Sequence, residues 1–253
     1  MDLATMVGLL LGVGVIAWSF ISGGDPLSYW DASAFMLIFG GVLGATMIHY
    51  KFSDVMMIFG AVMRAFMSDV PPAEKVIKDM VEYGRIARRD GTLALEARMK
   101  ECNDKFLTKG LQLVVDGTES EAIREVMMIE MSTQLRRGKR GMEILLYMAE
   151  AAPGLGMVAT LIGLVQMLKH LSNAAGIGAG MATALLGTFY GALAANLFFL
   201  PMAGKLQTRN KEEEIVHMMM IEGLQGIQSG VSPSVIEERL LSYLAPGQRE
   251  GAK

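Results

Sequence analysis

The fold is decided by residues 151–204, which read AAPGLGMVATLIGLVQMLKHLSNAAGIGAGMATALLGTFYGALAANLFFLPMAG. Lys169 is the only Asp, Glu, Lys or Arg in this stretch, and the charge-free runs on either side have 18 and 35 residues. About 20 apolar helical residues cross a bilayer, because each residue rises about 1.5 Å and the hydrocarbon core is about 30 Å thick. Both runs therefore predict membrane-spanning helices. Gly176, Gly178 and Gly180 predict a turn, with the second helix beginning near Gly180.

Two more charge-free runs precede this stretch, at residues 3–24 and 32–50, with 22 and 19 residues. The four runs predict four transmembrane helices, and the alternative is a set of buried helices in a large soluble core. A signal peptide is disfavoured, because no basic region precedes the first run and no small-x-small cleavage site follows it. We therefore expect an all-α integral membrane protein whose first helix is retained.

Composition agrees with a membrane protein and excludes several other classes. Hydrophobic residues make up 52% of the 253 residues and charged residues only 19%, whereas soluble domains carry about 25% charged residues. Cys102 is the single cysteine, so a disulfide framework is excluded. The net charge of −3 leaves no basic excess to neutralise phosphates, and nucleic acid is not an expected partner.

The basic residues predict the topology. Of 23 Lys and Arg, 16 lie in residues 51–145 and 6 in residues 205–253. The positive-inside rule places both regions, and with them both termini, in the cytoplasm. The predicted organisation is transmembrane helices 1 and 2 with a short periplasmic loop in 1–50, a cytoplasmic helical domain in 51–148, transmembrane helices 3 and 4 in 149–204, and cytoplasmic C-terminal helices in 205–253.

The cytoplasmic insert and tail are predicted to be helical. Pro71 and Pro72 open a helix that Asp90-Gly91 ends, and Asp116-Gly117 mark a further turn. Residues 120–148 form one long pattern that we expect to continue into the third span. A short final helix is expected after Ser232-Pro233.

The chain shows no catalytic motif, no metal-ligand pattern and no phosphate-binding loop, so we expect neither an enzyme nor a bound cofactor. The predicted spans also contain no Asp, Glu, Lys or Arg, although ion carriers bind their ion with such a group at depth. A partner must therefore supply the acid. The buried hydroxyls of Thr160, Thr183 and Thr188 either line an ion path or bond back to a carbonyl one turn earlier. Small residues at four-residue spacing permit close helix contacts within one chain or between copies: Gly8/Gly12, Gly40/Gly44 and Gly187/Gly191.

Several sequence blocks together resemble the MotA/PomA family, the A subunits of bacterial flagellar stators. The resemblance covers nearly the whole chain, and the two spans before the insert separate it from the ExbB/TolQ relatives, which have one. An ExbB/TolQ-like subunit that uses proton motive force for outer-membrane transport is the alternative, and a membrane scaffold without ion flux is a third class. The blocks are MDLAT (1–5), the loop from Gly23 to Asp31, GTLALE (91–96), VDG (115–117), APGLGM (152–157), GLV (163–165), MATALLGTFYG (181–191) and FLPMAGKL (199–206).

The resemblance implies a bacterial inner-membrane ring, in which about five A subunits surround two B subunits that bring the ion-binding aspartate. Ion flow rotates this ring, and the cytoplasmic insert contacts the rotor protein FliG. By position, Arg88 and Glu96 match the rotor-contacting charged pair of the family and Arg89 matches a basic neighbour. A further acidic position of the family is Ala97 here, which puts the strength of that contact in doubt.

The same resemblance assigns coupling and ion-pathway residues. Pro153 and Pro201 match paired prolines coupled to ion movement, and Glu150 matches an acidic position beside them. Sodium-driven members carry a threonine at the Thr160 position and a Thr-Thr pair where this chain has Gly187-Thr188, whereas proton-driven members often have Gly-Thr. The ion pathway is thus predicted at Thr160, Thr183, Gly187 and Thr188, and the transported ion is Na⁺ or H⁺, with Thr160 favouring Na⁺.

Overall fold

The computed structural model describes residues 3–67 and 70–249, and every regular element within these ranges is a helix. The first helices are α1 (Leu3–Ser22), α2 (Ala32–Phe35), α3 (Gly41–His49) and α4 (Phe52–Met67). They are followed by α5 (Ala73–Asp90), α6 (Leu95–Met99) and α7 (Lys105–Val115). The remaining helices are α8 (Ser120–Lys169), α9 (Ala174–Leu193), α10 (Leu200–Gln228), α11 (Pro233–Leu241) and α12 (Pro246–Arg249). Short 3-10 turns lie at Pro26–Tyr29 and Thr92–Ala94, and π-helical turns at Met36–Gly40 and Ala194–Phe199.

The chain divides into two compact units. The first contains Met1–Ser68 and Gly138–Gln207, and the second contains Asp69–Arg137 and Thr208–Lys253. Helices α8 and α10 each contribute residues to both units. The limits expected at 148–149 and 204–205 fall inside these continuous helices, so they remain sequence-based predictions.

The first unit exposes an apolar surface. Ile48 is 90% exposed and Trp18 is 73% exposed, as expected for side chains that face lipid rather than water. Within the described ranges, three helical segments are long and apolar enough to cross a membrane: Pro26–His49, Ser120–Lys169 and Ala174–Gln228. The predicted first span coincides with α1, whose described apolar part, Val7–Ser22, is shorter than that length. The membrane-protein prediction is therefore supported, while the count of four spans stays a prediction.

Helix α9 begins six residues earlier than the glycine pattern predicts. It starts at Ala174 rather than near Gly180, so the expected turn at 176–180 is wrong. Asn173 is the physical reason, because its side-chain oxygen accepts the backbone N–H of Ala175 at 3.1 Å and caps the helix. Glycine also costs less in an apolar helix that packs closely against another.

Both prolines of the apolar helices lie inside helical segments. Pro153 sits within α8, which runs unbroken for 50 residues and confirms that the 120–148 pattern continues into the apolar run at 151–168. Pro201 is the second residue of α10 and lies two residues after the end of the π-helical turn Ala194–Phe199. A π turn changes the local hydrogen-bond pattern, which accommodates a proline that has no N–H to donate.

The second unit has a buried apolar core of its own. Val76, Ile77, Met80 and Val81 of α5 are buried, as their spacing predicts. Glycines 91 and 117 end α5 and α7 with positive φ angles of 86° and 73°, which confirms both predicted turns. The short helix expected after Ser232-Pro233 is α11, with Pro233 as its first residue, but it is not the last one, because α12 follows it. The core is completed by Leu95, Leu111, Ile123, Met127, Met219, Met220, Leu224, Ile236 and Leu240.

Candidate functional site

Helices α8 and α9 approach each other backbone to backbone. A Cβ added at Gly163 would lie 2.6 Å from the backbone nitrogen of Ala184 and 2.6 Å from the carbonyl oxygen of Gly180. A Cβ at Gly191 would lie 2.5 Å from the carbonyl oxygen of Ala152. Small residues are therefore required along this interface, in agreement with the tight contact predicted for Gly187 and Gly191.

Two threonine hydroxyls meet across this interface. The hydroxyl of Thr160 on α8 is hydrogen-bonded to that of Thr188 on α9. The Thr160 oxygen also lies 3.0 Å from the carbonyl oxygen of Gly156 and 3.3 Å from that of Ala184. Thr188 lies 3.4 Å from the Ala184 oxygen and 3.5 Å from the Gly156 oxygen. These four oxygen atoms form what we call the oxygen cluster, and Thr188 exposes part of it at the surface.

Gly187 lies beside the oxygen cluster but supplies no ligand to it. It is buried, and a Cβ at this position would overlap the side chain of Ala159. The close contact between α8 and α9 thus accounts for a glycine here. Because glycine has no hydroxyl, the only hydroxyls in the oxygen cluster are those of Thr160 and Thr188.

Thr183 lies apart from the oxygen cluster. Its hydroxyl donates to Oδ2 of Asp31 at 2.6 Å. The hydroxyls of Thr160 and Thr188 instead bond to a carbonyl oxygen one helical turn earlier. Oδ1 of Asp31 accepts the N–H of Ser33 at 2.8 Å and caps α2. The N–H of Asp31 donates to the hydroxyl of Tyr190 at 2.9 Å. Asp31 thereby joins the loop between α1 and α2 to α9.

We expect the Asp31–Thr183 hydrogen bond to stabilise the first unit. Hydrogen bonds to a charged group contribute about 1.5–3 kcal/mol, so Asp31→Ala and Thr183→Val should each lower thermal stability and their effects should be non-additive. The measurement is a double-mutant cycle on the thermal unfolding of the detergent-solubilised protein. Asp25→Ala is the matched control, because Asp25 makes only local bonds to Leu27 and Ser28 in the same loop. Additive effects of Asp31→Ala and Thr183→Val would contradict the assignment.

Glu150, Pro153 and Pro201 have exposed side chains. Among the residues that the structure describes, Glu150 makes no ion pair and no side-chain hydrogen bond. Glu150 lies three residues before Pro153, so the carboxyl group is close to the proline on the same helix. The structure leaves these three side chains accessible to a partner.

Asn196 is a polar residue of the apolar helices that sequence reasoning missed. It lies in the π-helical turn and is exposed, and its Nδ2 donates to the carbonyl oxygen of Ala192 at 2.9 Å. An asparagine in a charge-free run of 35 residues is a sequence signal for such a polar group, because an uncharged amide can also interact with an ion or a partner. Its exposed amide adds a polar group to the surface of the third membrane-length segment.

The three candidate rotor-contacting residues lie around the end of α5 and the start of α6. Arg88 and Glu96 are exposed and form no ion pair within the described ranges. Arg89 instead binds Asp90, with Nε 2.9 Å from Oδ1 and Nη2 2.8 Å from Oδ2. The guanidinium holds the pKa of Asp90 below its usual value. Arg88 and Glu96 are therefore the charges available to a partner, while Arg89 is partly neutralised.

Together, closely packed apolar helices, an oxygen cluster without an acid and a second helical unit with its own core are those of a membrane subunit of ion-channel type. The family model described as the MotA/TolQ/ExbB proton channel family matches residues 98–221. Chemotaxis protein PomA of Vibrio alginolyticus is 33% identical over 98% of this chain and 98% of its own length. Motility protein A of Borreliella burgdorferi is 35% identical, over 98% and 96% of the two chains. A solved structure, the flagellar MotAB stator complex from Bacillus subtilis, superposes with a TM-score of 0.90 at 28% identity and covers 99% of each chain.

The chain belongs to the MotA/PomA family of flagellar stator A subunits. It is a component of the flagellar motor that serves motility, and it is not an enzyme. These similarities span the whole chain, including the helices before residue 98. They therefore favour the stator assignment over the ExbB/TolQ alternative.

Proposed function

We propose that this subunit conducts an ion together with a B subunit and converts the ion flow into torque on the flagellar rotor. The observation that carries the proposal is the oxygen cluster at Thr160 and Thr188, in which the described residues place no carboxylate, since Asp31 bonds to Thr183 instead. Hydroxyl and carbonyl oxygens can replace part of the water shell of a cation, but a negative charge must come from elsewhere. A B-subunit aspartate supplies that charge in this proposal. MotAB complexes among the structural neighbours support such a partner.

The proposed topology is that of a bacterial inner-membrane protein with four spans, a cytoplasmic insert at 51–148 and both termini in the cytoplasm. Its support is the charge asymmetry, since 22 of 23 Lys and Arg lie outside the predicted outer loops and spans. Exposed apolar side chains of α1, such as Leu10 at 70% and Trp18 at 73%, are suited to contact with lipid.

The proposed assembly contains about five copies around two B subunits. Gly40, Gly44 and Gly154 support further helix packing, because a Cβ at each of them would meet no atom within 4 Å. Small residues with open space in front of them allow another helix to approach closely. In this assembly, Glu150, Pro153 and Pro201 couple ion movement to motion of the helices, a role that their accessibility supports.

Sodium is the proposed ion. The support is the second hydroxyl that Thr160 adds beside Thr188, because oxygen ligands favour a metal cation over a hopping proton. Gly187 weakens this support, since it removes the hydroxyl that sodium-driven members carry there. Swimming speed that is independent of external Na⁺ at constant pH would overturn the choice.

The rotor contact proposed at Arg88 and Glu96, with Arg89 as a secondary contact to FliG, predicts the effect of charge reversal. Arg88→Glu and Glu96→Arg should each reduce torque severalfold, because opposed like charges at an interface cost several kcal/mol. The measurement is tethered-cell torque in a stator-less strain that also expresses a B subunit, with co-purification of that subunit as the readout of assembly. Lys78→Glu is the control, because Lys78 is an exposed cation on the same helix ten residues earlier.

The outcomes separate the two parts of the proposal. Normal torque with both reversed charges would remove the rotor contact but leave the stator function in place. Failure of the unmodified chain to restore swimming with any B subunit would instead count against the torque-generating function itself.

A further inference from the structure

His217 is a buried titratable group that neither the oxygen cluster nor the rotor-contacting residues involve. It lies on α10 in the second unit and is 9% exposed. Its Nδ1 is buried and has no hydrogen-bond partner among the described residues. The other two histidines, His49 and His170, are exposed. His217 is therefore the buried histidine of the chain, and its burial favours the neutral form over the charged one.

The imidazole of His217 forms part of the contact between α10 and α7. It stacks on the ring of Phe106, with 4.0 Å between the ring centroids and 23° between the ring planes. Phe106 is itself buried, at 3% exposure, in the first turn of α7. Met219 and Met220, which follow His217 on α10, are buried in the same core. The imidazole thus stacks on an aromatic ring within a unit whose core is apolar.

Charged groups lie around His217 on neighbouring helices. Asp104 acts on it electrostatically from the start of α7, where Oδ1 of Asp104 accepts the backbone N–H groups of Phe106 and Leu107 and caps the helix. Further along α7, Lys109 is paired with Glu130 of α8 at 2.6 Å. On α10, the acidic residues Glu213 and Glu214 lie about one turn before His217. Lys105, the first residue of α7, is an exposed cation.

Burial lowers the pKa of His217, and the Asp104 carboxylate raises it by a smaller amount. The neutral imidazole is therefore favoured in the folded protein. Protonation would place a positive charge in a buried contact against the Phe106 ring, which is unfavourable unless the two helices separate.

We propose that His217 is a pH-sensitive switch that loosens the contact between α7 and α10 when its surroundings become acidic. The loosening itself does not depend on torque generation. Its consequence for torque rests on the proposed function: if this unit contacts the rotor, torque would fall as the cell interior acidifies.

The direction follows from the protons that each state binds. The unfolded histidine has a pKa of about 6.5 and the folded one a lower value, so the folded state binds fewer protons below about pH 6.5. The contribution of neutral His217 to stability is fully present above that pH and is lost as the pH falls towards the folded pKa. The ratio of molecules in which α7 packs against α10 to molecules in which the two helices are separated therefore falls by up to about tenfold between pH 7.5 and 5.5.

Hydrogen exchange on the full detergent-solubilised protein tests the switch. Protection of the α7 amides, corrected for intrinsic exchange, should fall up to about tenfold between pH 7.5 and 5.5, and His217→Phe should abolish most of that dependence. His217→Gln serves as a second neutral variant. His170→Gln is the control and should retain the wild-type dependence, because His170 is exposed.

Each outcome decides the proposal. An equal pH dependence in wild type and His217→Phe would overturn it, and so would loss of the dependence in His170→Gln. If neither His217 variant folds, the wild-type profile decides, because α7 protection that is independent of pH between 7.5 and 5.5 contradicts the switch. Loss of motility would not affect this readout, so failure of the stator function and failure of the switch remain distinguishable.

Discussion

Gly180→Ala should separate α8 from α9 and strongly impair the stator. The added Cβ would lie 2.6 Å from the backbone nitrogen of Met167 and 2.8 Å from the carbonyl oxygen of Gly163. Neither atom belongs to a flexible side chain, so the helices themselves must move. Overpacking typically costs about 1–3 kcal/mol, and a rigid backbone contact is expected at or above the upper end of that range. The measurement is thermal unfolding of the solubilised protein, together with the amount of subunit retained in the membrane.

The chain offers a control for this variant on the same helix, two residues away. Gly178→Ala removes the same flexibility and adds the same methyl group, but its Cβ would meet no atom within 4 Å. Gly178→Ala should therefore leave stability unchanged or raise it slightly. Equal behaviour of the two variants would show that the α8–α9 contact does not require small residues at Gly180.

Removing either hydroxyl of the oxygen cluster should weaken the sodium dependence of swimming. Thr160→Val and Thr188→Val keep the side-chain shape but remove the oxygens that lie within 3.5 Å of the Gly156 and Ala184 carbonyl oxygens. Losing one oxygen ligand or hydrogen bond is expected to weaken ion binding by about 1–2 kcal/mol, which corresponds to about tenfold in the affinity for the ion. We expect the external Na⁺ concentration for half-maximal swimming speed to rise about tenfold for each variant.

Two further variants separate a loss of ion ligands from a loss of packing. Thr160→Ser keeps a hydroxyl and should retain most of the sodium response. Thr46→Val is the matched control, because Thr46 is fully buried and its hydroxyl donates only to the carbonyl oxygen of Val42, one turn earlier. An unchanged sodium response in both cluster variants would exclude the cluster from the ion pathway.

Much of the fold could be predicted because charge-free length and helical periodicity are local properties. The continuous α8 and the turns at Gly91 and Gly117 follow from residues adjacent in sequence. The start of α9 was misplaced because a single capping residue, Asn173, outweighs three glycines. Helix capping depends on one side-chain hydrogen bond, which composition does not reveal.

The candidate site was only partly predictable for a different reason. Thr160 and Thr188 are 28 residues apart, and only the packing of α8 on α9 shows that their hydroxyls meet. Thr183 is 152 residues from Asp31, so no local pattern could show that it bonds to a carboxylate. Its apolar neighbours suggested the same environment as Thr188, but five residues along a helix rotate a side chain by about 140°.

Asp31 makes three kinds of contact at once, and this has a consequence for sequence change. Its Oδ1 caps α2, its Oδ2 accepts from Thr183 and its N–H reaches Tyr190. Glutamate is one methylene longer and loses the cap, and a hydrophobic residue loses both side-chain contacts. Positions 31 and 183 are therefore expected to change together during evolution, so a family alignment should show covariation between the loop before α2 and α9.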